Sequence, residues 1–164
     1  MTPRTLLYLV LAGLSAAGGA EAQPARKTVK VRPTEVSTDH LKVRHSSEVQ
    51  LLAGDTVSLE LEIEPRPGMH VYAPGADDYQ VITITLAEHP DVRPRPVIYP
   101  PSETYVFAPL NERIPVYQKP FRLAMDAVVG MKIDVLKGRL DYQACDDKVC
   151  FAPVEVPLSW VISR

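Results

Sequence analysis

The chain has 164 residues, with 18 Lys and Arg against 20 Asp and Glu, so its formal net charge is −2 at pH 7. A nearly neutral surface gives no electrostatic case for binding nucleic acid or an anionic membrane, and we predict neither partner. The 16 prolines are about twice the usual share, which argues against long helices.

The chain opens with the features of a secretory signal peptide. Arg4 precedes an apolar run from Leu6 to Leu14, and small residues lead to an A-x-A site at 20–22. This run is shorter than the roughly 20 apolar residues that a membrane span needs, although an uncleaved anchor is the alternative. We therefore predict a signal peptide over residues 1–22, a periplasmic or otherwise extracytoplasmic location, and no membrane span after cleavage.

The rest of the chain divides into a lead and one domain. Residues 23–40 are polar and charged, and we predict a partly ordered N-terminal lead there. Residues 41–164 are enough for a single domain with a sizeable core.

Hydrophobic residues in this domain recur with a period of two. In "TVSLELEIEP", residues 56–65, apolar and polar side chains alternate, as in a half-buried strand. Seven further segments with strand character bring the predicted count to about eight: "HLKVR" (40–44), "MHVY" (69–72), "QVITITLAE" (80–88), "RPVIY" (95–99), "FRLAMDAV" (121–128), "MKIDVLKGRLDYQAC" (131–145) and "PVEVPLSWVIS" (153–163). Many short strands separated by Pro and Gly predict an all-β protein with an antiparallel β-sandwich.

The chain has two cysteines, both in "DYQACDDKVCFAP", residues 141–153. We predict that Cys145 ends one strand, that Cys150 begins the last, and that the four residues between them form a hairpin loop. Opposed residues of an antiparallel pair lie about 4.5 to 5.5 Å apart at Cα, within reach of a disulfide. Closing so short a loop stabilises a fold by only about 2 kcal/mol, so the bond is a weak staple.

Two segments resemble a known family. "YQACDDKVCFAPVEVPLSW", residues 142–160, resembles the cysteine hairpin of the N-terminal periplasmic domain of the DsbD thiol:disulfide interchange proteins. "PGMHVYAPG", residues 67–75, resembles the early segment of the same domain, and the resemblance extends over roughly residues 41–164. The best-known members have five residues between the cysteines and continue into membrane-embedded and thioredoxin-like domains, whereas this sequence has four and ends at Arg164.

The resemblance implies a fold, a reaction and partners. The fold is an immunoglobulin-like β-sandwich without a cofactor. The reaction passes reducing equivalents from a thioredoxin-like protein or a membrane electron carrier to periplasmic client disulfide proteins. Cys150 would form the mixed disulfide with the partner, and Cys145 would resolve it. The family also shields its disulfide with an aromatic cap loop, which corresponds to residues 100–109 here.

Several residues are candidates for the surroundings of this pair. Tyr105 is the first candidate for the cap and Phe107 the second, although both could be ordinary core or edge aromatics. The remaining near-site candidates are His70, Tyr72, Tyr142, Asp146 and Asp147. The two aspartates would disfavour a thiolate at Cys145, yet they are also common turn residues. For His70 and Tyr72 the sequence favours a structural role in their strand over an acid-base role, although either could lie beneath the cysteines.

Other site chemistries are less favoured by the sequence. The cysteines and His40, His45, His70 and His89 could in principle bind zinc, but C-x4-C is not a preferred ligand spacing, and we predict no metal.

Two functions remain open. The favoured one is a periplasmic thiol-disulfide exchange module, a component of a protein-disulfide reductase system whose client could lie in cytochrome c biogenesis. The alternative is a secreted immunoglobulin-like interaction module with a permanent hairpin disulfide.

Overall fold

The computed structural model describes residues 33–107 and 111–164, and the predicted signal peptide lies outside them. All regular elements in these ranges are β-strands: β1 (Pro33–Ser37), β2 (Leu41–Ser46), β3 (Glu48–Gln50), β4 (Thr56–Pro65), β5 (His70–Tyr72), β6 (Thr83–Leu86), β7 (Val92–Pro94), β8 (Glu103–Phe107), β9 (Glu112–Tyr117), β10 (Phe121–Val129), β11 (Val135–Tyr142), β12 (Ala144–Cys145) and β13 (Val154–Ser163). In this part of the chain, no helix is long and apolar enough to cross a membrane.

The first sheet has five strands in the order β1-β2-β4-β10-β7. Its centre is the antiparallel pair of β4 and β10, which runs from Phe121 opposite Ile63 to Val128 opposite Thr56. The alternation predicted for residues 56–65 is confirmed, because the apolar side chains of β4 are buried and Ser58, Glu60 and Glu62 are exposed.

The second sheet has four strands in the order β3-β13-β11-β6, and it faces the first across the main core. Trp160, on the inward face of β13, is fully buried in that core. Gly138 lets β11 approach β6, since a Cβ there would lie 2.7 Å from the Thr85 carbonyl oxygen. The pairs are antiparallel except that of β13 with β3. The architecture is the predicted immunoglobulin-like β-sandwich.

A third sheet of four short strands, in the order β12-β5-β9-β8, carries a second and smaller core. This second core consists of buried side chains from three of its strands and a nearby loop: Tyr72, Ala76, Ile114, Val116 and Cys145. One of the two cysteines therefore belongs to a packed region separate from the main core.

Prolines explain two differences from the predicted strands. "RPVIY" is not a strand: apart from an isolated bridge between Ile98 and Ala124 it is irregular, and Pro96 has no N–H to donate to a ladder. The last strand begins at Val154 rather than at Cys150: residues 151–153 are irregular, and Pro153 has no N–H to donate to a ladder.

Short strands account for the larger strand count. The structure has thirteen strands in its described ranges, against about eight predicted. The five that were not predicted are three to six residues long: β1, β3, β7, β8 and β9. β1 falls within the predicted lead and pairs with β2 along its full length. β8 falls within the predicted cap loop and pairs with β9.

Candidate functional site

The two cysteines are bonded to each other across the hairpin. Their sulfur atoms are 2.11 Å apart and their Cα atoms 4.1 Å apart. Cys145 ends β12, where it lies opposite His70 of β5, and Cys150 forms an isolated antiparallel bridge with Cys145. The sheet therefore fixes the position of Cys145, while Cys150 lies in the connection that leads to β13.

Asp146 organises the turn between the cysteines. Its carboxylate Oδ1 accepts hydrogen bonds from the backbone N–H groups of Lys148 and Val149, each at 2.7 Å. Its own N–H donates to the Val149 carbonyl at 3.0 Å. These two hydrogen bonds, of which the one from the Lys148 N–H has the larger effect, hold the pKa of Asp146 below its ordinary value. This geometry favours the turn interpretation of Asp146, whereas Asp147 is exposed at the tip.

The two sulfurs differ in accessibility. Cys145 is only 1% exposed, whereas Cys150 is exposed. The Cys150 sulfur is therefore the more accessible of the two from solvent.

The Tyr72 hydroxyl lies directly beside the disulfide. It is 2.9 Å from Cys145 Sγ and 3.3 Å from Cys150 Sγ, and it is the donor because a disulfide sulfur carries no hydrogen. Burial, with smaller contributions from Tyr79, Tyr105 and Glu112, raises the pKa of Tyr72 to about 12. The hydroxyl therefore stays protonated at physiological pH and remains a hydrogen-bond donor.

Aromatic rings form the wall next to the sulfurs. The Tyr79 ring stacks on Tyr72 at 4.1 Å between centroids, and the Tyr105 ring stacks on His70 at 4.4 Å. His70 meets Tyr72 edge to face at 5.6 Å. We call the partly open space of about 80 Å³ beside the disulfide the cysteine cavity. Its lining consists of His70, Tyr72, Tyr79, Tyr105, Phe107, Ile114 and residues 145–150.

The structure brings most of the predicted site residues together, but not Tyr142. Tyr142 is buried in the main core, where its hydroxyl hydrogen-bonds Thr38 Oγ1 at 2.8 Å. Its position on β11 turns it toward the sandwich, while β12 carries Cys145 into the third sheet. Tyr79 was not predicted, because it lies outside the strand pattern, in a loop that the sequence does not connect to the cysteines.

The other histidines do not line the cysteine cavity. His40 packs on Phe151, His45 lies against Trp160 in the main core, and His89 is exposed. The described ranges contain no cluster of three or more side chains suited to holding a metal ion.

A family model described as "Thiol:disulfide interchange protein DsbD, N-terminal" matches residues 37–157. The chain belongs to this family. The match extends from the last residue of β1 into β13, and it includes both cysteines and the residues of β5. A comparison with curated proteins gave no match.

Solved structures resemble this member of the DsbD N-terminal family at low identity. The N-terminal periplasmic domain of ScsB from Proteus mirabilis is 18% identical with a TM-score of 0.56, over 76% of this chain and 49% of that one. The chain thus spans about half of that domain, and the likeness concerns the fold. The reduced DsbD N-terminal domain of Neisseria meningitidis is 19% identical over 69% of this chain and 81% of its own, with a TM-score of 0.44. The complex between the DsbD N-terminal and PilB N-terminal domains of the same organism is 18% identical over 68% of this chain and 78% of its own, with a TM-score of 0.47.

The proposed cap of this family member yields a first prediction. Tyr105 is partly buried against the second core, so replacing it with Ala should open the cysteine cavity while removing little core packing. We expect reduction of the disulfide by dithiothreitol to become roughly threefold faster, with little change in melting temperature. Phe107→Ala should have a smaller effect. An unchanged reduction rate with a large loss of stability would show that Tyr105 is a core residue.

Proposed function

We propose that this chain is an extracytoplasmic thiol-disulfide exchange module. It passes reducing equivalents between a thioredoxin-like partner, or a membrane electron carrier, and client disulfide proteins through Cys145 and Cys150. The observation that carries the proposal is the pairing of one exposed and one buried sulfur in a single disulfide, on a chain of the DsbD N-terminal family. The signal peptide at residues 1–22 is part of the same proposal.

Reduction of the module follows from the difference in accessibility. A partner thiolate attacks Cys150 Sγ and forms a mixed disulfide, the bond between the two cysteines breaks, and its electron pair goes to Cys145 Sγ. Tyr72 donates a hydrogen bond to that sulfur as negative charge develops on it. A second partner thiol then resolves the mixed disulfide, so that the partner is oxidised and the module gains two electrons.

Delivery to a client reverses the roles. The Cys150 thiolate attacks the client disulfide, and Cys145 then attacks Cys150 Sγ, which releases the reduced client and restores the original bond. The clients include, in this proposal, proteins of cytochrome c biogenesis.

A permanent staple is the competing function, and the hairpin argues against it. The turn is already closed by the Asp146 hydrogen bonds and by the Phe151 N–H, which donates to the Ala144 carbonyl at 2.9 Å. The loop that the disulfide closes is short, with a sequence separation of 5, so the bond adds little stability.

Stability on reduction therefore tests the proposed function. We expect reduction to lower the free energy of unfolding by about 2 kcal/mol or less and to leave the β-sandwich folded, because the main core does not depend on the bond. Thermal and urea unfolding followed by circular dichroism, with and without reductant, measures the difference. The free cysteines should be counted to verify reduction. Global unfolding on reduction would reject the exchange module in favour of a structural staple.

A further inference from the structure

His70 is a buried titratable side chain that the exchange steps described above do not use. It is 3% exposed, and it lies directly opposite Cys145 in the antiparallel pair of β5 and β12. Directly opposed residues of such a pair have Cβ atoms about 4.5 to 5.5 Å apart. Both side chains line the cysteine cavity, so the imidazole ring and the Cys145 sulfur face the same small space.

The charged side chains that line the cysteine cavity beside His70 are Asp146 and the exposed Asp147 and Lys148, so the lining brings no buried cation to the Cys145 sulfur. The rings of Tyr72 and Tyr105 pack against the imidazole. The Asp146 carboxylate is close enough to act on the imidazole electrostatically. Cys145 is nearly inaccessible to water, so a thiolate there would have little solvent to stabilise it.

We propose that His70 supplies the counter-charge for the Cys145 thiolate and thereby makes opening of the disulfide depend on pH. The imidazole takes its proton from solvent before the attack. An incoming thiolate then bonds to Cys150 Sγ, the electron pair of the broken bond goes to Cys145 Sγ, and the imidazolium charge stabilises that sulfur. The attacking thiol supplies the electrons, so no other reductant is needed. The inference deepens the proposed function and rests on its assignment of Cys145 as the leaving sulfur.

The direction of the pH dependence follows from the burial of His70. Burial lowers the pKa of its imidazole, and the negative charge of Asp146 opposes that effect less strongly. The ring is therefore mainly neutral at pH 7 and gains its charge only as the pH falls below the ordinary histidine range. Asp146 stays ionised in that range because hydrogen bonds hold its pKa low, and Tyr72 stays protonated.

The test measures reduction of the intact chain by dithiothreitol between pH 5 and pH 8. Rate constants are expressed per concentration of dithiothreitol thiolate, which removes the titration of the reagent itself. An opposite charge close to a leaving thiol lowers the pKa of that thiol by about 1 to 3 units. A thiol with a lower pKa is a better leaving group, so exchange becomes faster. We expect the corrected rate constant to rise about fivefold from pH 8 to pH 5 in the wild-type chain.

The chain offers a matched control. His70→Gln should give a corrected rate constant that does not change with pH, because the titrating charge is removed. His45→Gln also replaces a buried histidine, 6% exposed but in the main core, and it should keep the wild-type profile. Circular dichroism and the melting temperature show whether each variant is folded.

Two results would overturn the inference. One is a corrected rate constant that does not change with pH in the wild-type chain. This result is decisive even if no variant folds. The other is a folded His70→Gln chain that keeps the wild-type rise. Because the reductant is a small thiol, the experiment is independent of the partner. A chain that shows the predicted profile but exchanges with no thioredoxin-fold protein would refute the proposed function and leave the role of His70 intact.

Discussion

A Cys145→Ala variant is expected to accumulate a mixed disulfide with a thioredoxin-fold protein, and a Cys150→Ala variant to trap at least about tenfold less. Removing Cys145 leaves the exposed Cys150 sulfur available but takes away the group that would resolve the intermediate. Removing Cys150 leaves a cysteine that is 1% exposed in the intact protein, so the partner's sulfur cannot reach it. The difference between the variants therefore reports which sulfur the partner contacts.

The experiment uses a thioredoxin-fold protein whose attacking cysteine carries an aromatic thiol as leaving group. Each variant is mixed with it, and the covalent adduct is measured by non-reducing gel and intact mass. The double variant Cys145→Ala, Cys150→Ala should form no adduct, which excludes non-specific reaction. Equal trapping by the two single variants would remove the assigned roles. Trapping by neither would leave the permanent staple as the better description of the hairpin.

Replacing Tyr72 with Phe should slow reduction of the disulfide by about tenfold. The substitution keeps the ring and its stacking on Tyr79, but it removes the donor that lies 2.9 Å from Cys145 Sγ. A hydrogen bond to a charged group contributes roughly 1.5 to 3 kcal/mol, more than a bond to the neutral disulfide, so its loss penalises the developing thiolate most. Stopped-flow reduction by dithiothreitol at pH 7 measures the effect.

Tyr79→Phe is the matched control for Tyr72. The ring of Tyr79 belongs to the same aromatic wall. Its hydroxyl, however, donates a hydrogen bond to the Glu112 carboxylate at 3.4 Å and not to a sulfur atom. Its reduction rate should be close to that of the wild-type chain. If both variants were slowed equally, packing of the wall and not the hydroxyl would control the reaction.

The long strands could be predicted from sequence because one face of each meets the core. In β4 and β13 every second side chain is buried, and a period of two is the direct trace of that arrangement. β3 and β7 have three residues each, too few to display a period. β1 is an edge strand with mostly exposed or partly buried side chains, so it resembles a polar lead.

The cysteine pair and its neighbours on β5 could be found because the hairpin and the "MHVY" segment are both recognisable. The contact between these two segments could not be predicted, since β5 and β12 are far apart in the sequence and meet only in the folded sheet. The same limit applies to Tyr79, whose ring reaches Tyr72 from a loop, and to Tyr142, which is close to Cys145 in sequence but lies in another core. Sequence proximity was therefore a poor guide to which aromatic side chains surround the sulfurs.

The Asp146 turn has a consequence for the reduced protein. Its hydrogen bonds come from the backbone and one carboxylate, so they do not require the disulfide, and they hold residues 145 and 150 at the two ends of a closed loop. Two thiols held in this way meet at a high effective molarity, which favours intramolecular ring closure over reaction with free thiols in solution. We therefore expect the two thiols to close into the disulfide readily once a client has reacted with Cys150, because the turn already holds them in position.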